Sequence, residues 1–178
     1  MDSYLEQLQE TLAAAIDGIS GADLTRHPEG KWSIGEILEH LYLSYTGTTK
    51  GFQRCLEAGK PLATKATLPQ RLKALLVVKI GKFPPGREAP KWTKPRGTAL
   101  EKIVADIGMQ IAAMDQAITQ CDERYGKETR LLDHPILGPF TASQWRKFHW
   151  VHGRHHMKQI ERLREAAESG CGCQEHTL

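Results

Sequence analysis

Four stretches of this chain place apolar residues three and four positions apart, and that spacing limits the fold more than any other feature. An α-helix turns once in about 3.6 residues, so side chains at such intervals share a face that has to be buried against another element. Leu5, Leu8, Leu12, Ala15, Ile16 and Ile19 form the first stripe and predict a helix over 3–19. A second helix is expected over 34–56, because Ser33 and Glu36 have capping-box spacing just ahead of Ile37, Leu38 and Leu41. Leu100, Ile103, Val104, Ile107, Ile111, Met114 and Ile118 predict a third over 98–121. The last opens at Thr141 or Ser143 and runs to residue 168.

Breakers separate these helices. His27 precedes Pro28 and is driven out of helical geometry, within a turn-rich run from Arg26 to Gly30. Residues 59–69 read as a connection to a short helix over 71–80 carrying Leu72, Leu75, Leu76 and Ile80. The prolines at 84, 85, 90 and 95 forbid regular structure in a long loop, which Trp92 is expected to pin to an apolar surface. The stretch from His134 to Phe140 reads as another crossover, and no segment reads as a strand. The pattern is all-α: an antiparallel four-helix bundle with long crossover loops and an extra short helix. Connections of this length permit several helix orders.

The 178 residues suit one domain, 1–168, followed by a glycine-flanked tail over 169–178. With 40% hydrophobic and 25% charged residues, the chain has the composition of a globular protein and not of a disordered or disulfide-stapled one. No window reaches the roughly 18–20 apolar residues of a membrane span, and the start lacks a secretion signal, so a cytoplasmic protein is expected. The dispersed charge of +3 gives no nucleic-acid footprint. Cys55 and Cys121 read as inert thiols. Cys171 and Cys173, with His176, could ligate a soft metal or form a redox pair, but a short terminus of this kind is more often disordered. The basic loop of Lys79, Lys82, Arg87, Lys91, Lys94 and Arg96 is either solvated surface or a contact for an anion.

Histidine is the departure from an ordinary bundle. Of eight histidines, four lie between 149 and 156. At about 100° per residue, Trp145, His149, His152, His156, Ile160 and Leu163 share one side of the last helix, so imidazoles stand where core residues belong. An unpartnered buried polar group costs roughly 1–3 kcal/mol, and a metal, a carbonyl or a water would each offset it. His152 and His156 are one turn apart and can reach one ion. Two ligands bind weakly, and His40, at the edge of the face made by Ile34, Ile37 and Leu41, is the candidate third. His155 lies about 100° from His156 and reads as a surface or supporting residue, with His149 between these cases.

The segment from Trp32 to Leu41, with Trp-Ser opening a helix that carries His40-Leu41, resembles the DinB/YfiT-like superfamily. The run His152-Gly153-Arg154-His155-His156-Met157-Lys158-Gln159-Ile160 is similar to that superfamily's last-helix pattern. Residues 134–145 further resemble a subgroup of poorly defined function. The resemblance implies a four-helix bundle with a divalent metal, zinc or nickel, on His40, His152 and His156. Gln159 reads either as a hydrogen-bonding residue beside the ligands or as one that faces another helix. Three neutral nitrogens leave positions open for water or substrate, as in a catalytic site. Relatives include transferases and isomerases that use a low-molecular-weight thiol (bacillithiol or mycothiol), and others are classed as metal-dependent hydrolases. The expectation is therefore an enzyme that activates water or a small thiol toward a small molecule, with exposed helix faces that suit a homodimer. A non-catalytic metal-containing or ligand-binding bundle is the alternative. Where the superfamily often has Arg-Gly before the final Gln, this chain has Met157-Lys158, which puts a guanidinium's role there in doubt.

Overall fold

The computed structural model describes residues 1–27, 29–81 and 88–171. Four long helices make most of it: α1 (Ser3–Ile16), α3 (Ile34–Glu57), α5 (Leu100–Tyr125) and α6 (Ala142–Cys171). Short α2 (Gly21–Thr25) and α4 (Leu68–Ala74) sit in the connections. The starts of α1, α2 and α3 are capped by neighbouring side chains. Asp2 accepts from the Tyr4 amide, Ser20 from Asp23, and the Ser33/Glu36 capping box is formed in both directions. The first helix stops at Ile16, three residues earlier than the apolar stripe suggests, because the chain turns at Gly18 (φ 68°) and restarts under the Ser20 cap.

α3 packs along α5 and α1 along α6, so the pairs join helices distant in sequence. Their apolar stripes meet in one core that includes Leu5, Leu8, Leu38, Phe52, Ile111 and Ile118. A Cβ at Gly153 would lie 2.2 Å from Leu8 Cδ1, so the missing side chain is what lets α6 approach α1 this closely. Polar atoms also cross the helix junctions. Arg146 Nε donates to Asp115 Oδ1 (2.8 Å) and its NH2 group to Thr119 Oγ1 (2.7 Å), while the Asp2 amide donates to Asp115 Oδ2 (2.8 Å). That network ties the N-terminus, α5 and α6 together.

Two connections differ from expectation. Leu132–His134 and Gly138–Phe140 form a short antiparallel hairpin, β1 and β2, with Leu132 opposite Phe140. Pro135 and Pro139 mask it in the sequence, since proline argues against strand, and three residues are too few to alternate. The short helix begins earlier than expected, at a capping box of Thr67 and Gln70, and widens into a π-turn over Leu75–Lys79. That change of pitch turns Val77 and Val78 inward and leaves Leu72 at 69% and Ile80 at 57% exposure, so the leucine stripe faces outward. None of the described helices is long and apolar enough to cross a membrane.

Candidate metal centre

α3 and α6 bring His40 to His152, 112 positions away in sequence, and to His156 one turn further along α6. Nε2 of His152 lies 3.1 Å from Nε2 of His40 and 3.0 Å from Nε2 of His156. Among the described residues His40, His152 and His156 are the group whose ligand atoms all lie within 4.8 Å of one another. All three are buried and line one open cleft of about 1440 Å³.

The hydrogen bonds behind the rings fix which nitrogen faces inward. A carbonyl oxygen can only accept, so His40 Nδ1, 2.9 Å from the Thr93 carbonyl, carries the proton and donates it. His156 Nδ1 donates in the same way to Gln159 Oε1 at 2.8 Å. Both Nε2 atoms therefore present lone pairs toward His152 Nε2. That nitrogen holds at most one proton in the neutral ring, so it can donate to only one of its two neighbours. Nitrogens each about 2.0–2.1 Å from a shared ion sit roughly 3 Å apart, so the donor set fits a divalent cation better than it fits a proton.

Burial keeps these rings neutral, the form that ligates. It lowers His40, despite the upward pull of its bond to Thr93. Burial, reinforced by His40, pushes His156 down to about 3, and burial with the neighbouring histidines holds His152 well below the ordinary imidazole range. Phe148 stacks on His152 with ring centres 5.4 Å apart, and Trp32 lies 5.2 Å from His40.

Of the supporting residues expected from the sequence, Gln159 joins the site directly. Its amide nitrogen is 3.2 Å from His155 Nε2, and the exposed His155 ring also stands edge-on to His156, with ring centres 5.2 Å apart. His149 is buried but apart from the cluster. Its Nε2 pairs with Thr48 Oγ1 at 3.0 Å, its ring stacks on Trp145, and burial with a contribution from His134 lowers it to about 3. Trp92, expected to be pinned to an apolar surface, is 59% exposed, and the neighbouring Thr93 is the buried residue. In the basic loop Lys94 pairs with Glu88, while Lys82 and Arg87 lie outside the described residues. So do Cys173 and His176 of the tail and the side chain of Cys171. Cys55 and Cys121 are buried free thiols whose pKa is raised by burial, to about 11 for Cys121.

Glu39 was not singled out by spacing, and the site depends on it. Its buried carboxylate accepts from the amides of Arg96, Gly97 and Thr98 at 2.9–3.1 Å and from the Thr98 hydroxyl, just ahead of α5. Burial raises the pKa of this group, and the four bonds more than offset that, leaving it below the usual glutamate value. Anchoring 96–98 fixes the segment that carries Thr93, the residue that orients His40. The sequence signal available is an acid set among Ile37, Leu38 and Leu41, and in the structure every member of that run is buried.

The fold and site thus define a class: helical proteins in which three neutral histidines from two helices converge in a solvent-reaching cleft. A family model for the DinB superfamily matches residues 4–160, from the start of α1 to four residues beyond His156, and the chain belongs to that superfamily. No curated protein and no solved structure matches the chain.

Proposed function

We propose that this protein is a metal-dependent enzyme: a four-helix bundle that holds one divalent ion, zinc or nickel, on His40, His152 and His156 and acts on a small molecule in the adjoining cleft. The observation that carries this reading is the convergence of three neutral Nε2 atoms on the wall of an open cavity and not inside a sealed core. A structural ion is normally closed off by four protein ligands, whereas three donors facing a cavity leave room for a reactant. When bound, the ion would supply Lewis acidity that lowers the pKa of a water or small thiol held against it.

The chain's own residues prepare that chemistry. Thr93 and Gln159 hold the protons on the outer nitrogens and so aim the inner lone pairs. Trp32 and Phe148 lie against the ligand rings and restrict their rotation. The cleft is large enough for a drug-sized molecule, and Leu76, Val77 and Phe148 give it apolar wall. Hydrolysis and thiol transfer both follow from this arrangement, and a substrate panel separates them.

The test loads the protein with zinc or nickel and assays ester hydrolysis, amide hydrolysis and transfer of a small thiol to an electrophile. The reading expects turnover that chelation abolishes, that added metal restores, and that His156→Ala lacks. Turnover that survives complete metal removal would overturn it. Failure of the whole panel with one metal bound per chain would favour a non-catalytic bundle.

A further inference from the structure

Beyond the histidines, the cleft contains a charge pattern that the metal centre does not use. The face of α3 that lines it runs His40, Ser44, Gly47, Gly51, Arg54, at intervals of four, three, four and three. This is a continuous helical stripe whose middle is small. Gly51 has a packing reason, since a Cβ there would come within 2.5 Å of Leu132. Gly47 has none: a Cβ would meet no atom within 4 Å. Glycine inside a helix costs about 1 kcal/mol relative to alanine, so helix stability is given up at Gly47, a position where, among the described residues, nothing crowds a side chain and the floor of the cleft stays open.

Lys50 and Arg54 on α3 and Lys73 on α4, all three exposed, line the same cavity. At a rise of 1.5 Å per residue, Lys50 and Arg54 lie about 15 and 21 Å along the helix from His40. Among the described residues none of the three has an ion pair or side-chain hydrogen bond. Lys50 and Arg54 are four apart, a like-charge pairing that weakens a helix. Three carboxylates line the cavity. Asp133 accepts from the Thr64 amide and hydroxyl and Glu88 pairs with Lys94, which leaves Glu57 against these three cations.

We propose that Lys50, Arg54 and Lys73 form an oxyanion-binding subsite, so that the ligand is an elongated molecule with a carboxylate or phosphate at one end and its reacting group toward the histidines. Calling that ligand the substrate rests on the metalloenzyme reading, but the subsite itself needs no metal. Arg54 offers the planar fork that suits carboxylate and phosphate, and the two lysines add positive charge to the same cavity.

The experiment measures calorimetric binding of hexyl phosphate, hexanoate and hexanol to the full metal-free chain at low salt, with metal content and binding to the zinc-loaded chain measured in parallel. One or both anions should bind at least tenfold more tightly than the alcohol, and the stronger one identifies the headgroup. The advantage should shrink to under threefold in Lys50→Gln/Arg54→Gln, and in Lys73→Gln as an independent variant on another helix. It should persist in Lys127→Gln, which removes a cation outside the cleft, and should fall with added salt. Equal binding of alcohol and anions, or an advantage unchanged in both cleft variants, overturns the subsite. A chain that takes up no metal yet shows the anion preference overturns the metalloenzyme reading and upholds the subsite.

Discussion

Glu39→Gln is the substitution whose consequences the structure specifies most fully. The carboxylate is 3% exposed and accepts four hydrogen bonds, three from consecutive backbone amides and one from the Thr98 hydroxyl. Glutamine keeps the shape and one acceptor oxygen but turns the other oxygen into a donor facing donors. At least two N–H or O–H groups then lose their partner, at about 1–3 kcal/mol each. Relief of the carboxylate's own desolvation returns part of that, so the net destabilisation should be about 2–4 kcal/mol. Urea denaturation of metal-free protein at pH 7, followed by circular dichroism, measures it. The pH dependence gives a second check. The folded pKa of Glu39 lies below its ordinary value of 4.5, so its contribution is complete above that value and is lost as pH falls toward the folded pKa. The gap between wild type and variant should therefore close in acid. Because Glu39 anchors the segment bearing Thr93, zinc affinity should also drop, by about 10- to 100-fold. A stability change under about 0.5 kcal/mol at pH 7, or a gap that widens on acidification, would mean that the Glu39 carboxylate does not hold the 96–98 backbone in this way.

Other perturbations have equally defined outcomes. Gly153→Ala puts a Cβ 2.2 Å from Leu8 Cδ1 and should cost about 1–3 kcal/mol; in a double-mutant cycle Leu8→Ala should recover part of that, and strict additivity would contradict the contact. Gly47→Ala, which meets nothing within 4 Å, should raise the melting temperature through a gain of up to about 1 kcal/mol, and a loss of stability would show the floor to be occupied. Burial lowers His134 to about 4, and lowers His149 and His156 to about 3 with the help of neighbouring histidines. The unfolded chain then binds more protons below the ordinary value of 6.5, and the metal-free protein should lose stability progressively as pH falls from about 6.5 toward 3. An unchanged urea midpoint between pH 7 and 5 would contradict the burial of neutral imidazoles.

Much of the centre was legible in the sequence because it lies on long helices. His152 and His156 are one turn apart on a face that otherwise carries Trp145 and Ile160, and the period of the helix alone puts them side by side. His40 was reachable because the Ser33/Glu36 cap fixes where α3 begins and hence which way that residue points. What stayed hidden depends on contacts between segments far apart in sequence. Thr93 is an ordinary loop residue until Glu39 fixes the neighbouring backbone, and no local pattern reports that a carboxylate on α3 binds amides at 96–98. Leu72, Leu75 and Leu76 have the spacing of a buried stripe, yet the π-turn that follows buries Val77 and Val78 instead. The 132–140 hairpin escaped for a similar reason, being closed by backbone hydrogen bonds and a His134 side-chain turn despite its two prolines.

If His40, His152 and His156 together hold one divalent ion, metal content must follow these side chains. Elemental analysis of untagged protein never exposed to chelator, alongside His152→Ala and His155→Ala, reads it out. Wild type and His155→Ala, whose ring lies outside the cluster, should carry about one zinc or nickel per chain, and a folded His152→Ala should lose nearly all of it. A metal-free wild type that also refuses added zinc and nickel, or a His152→Ala protein that keeps its full complement, would contradict that assignment.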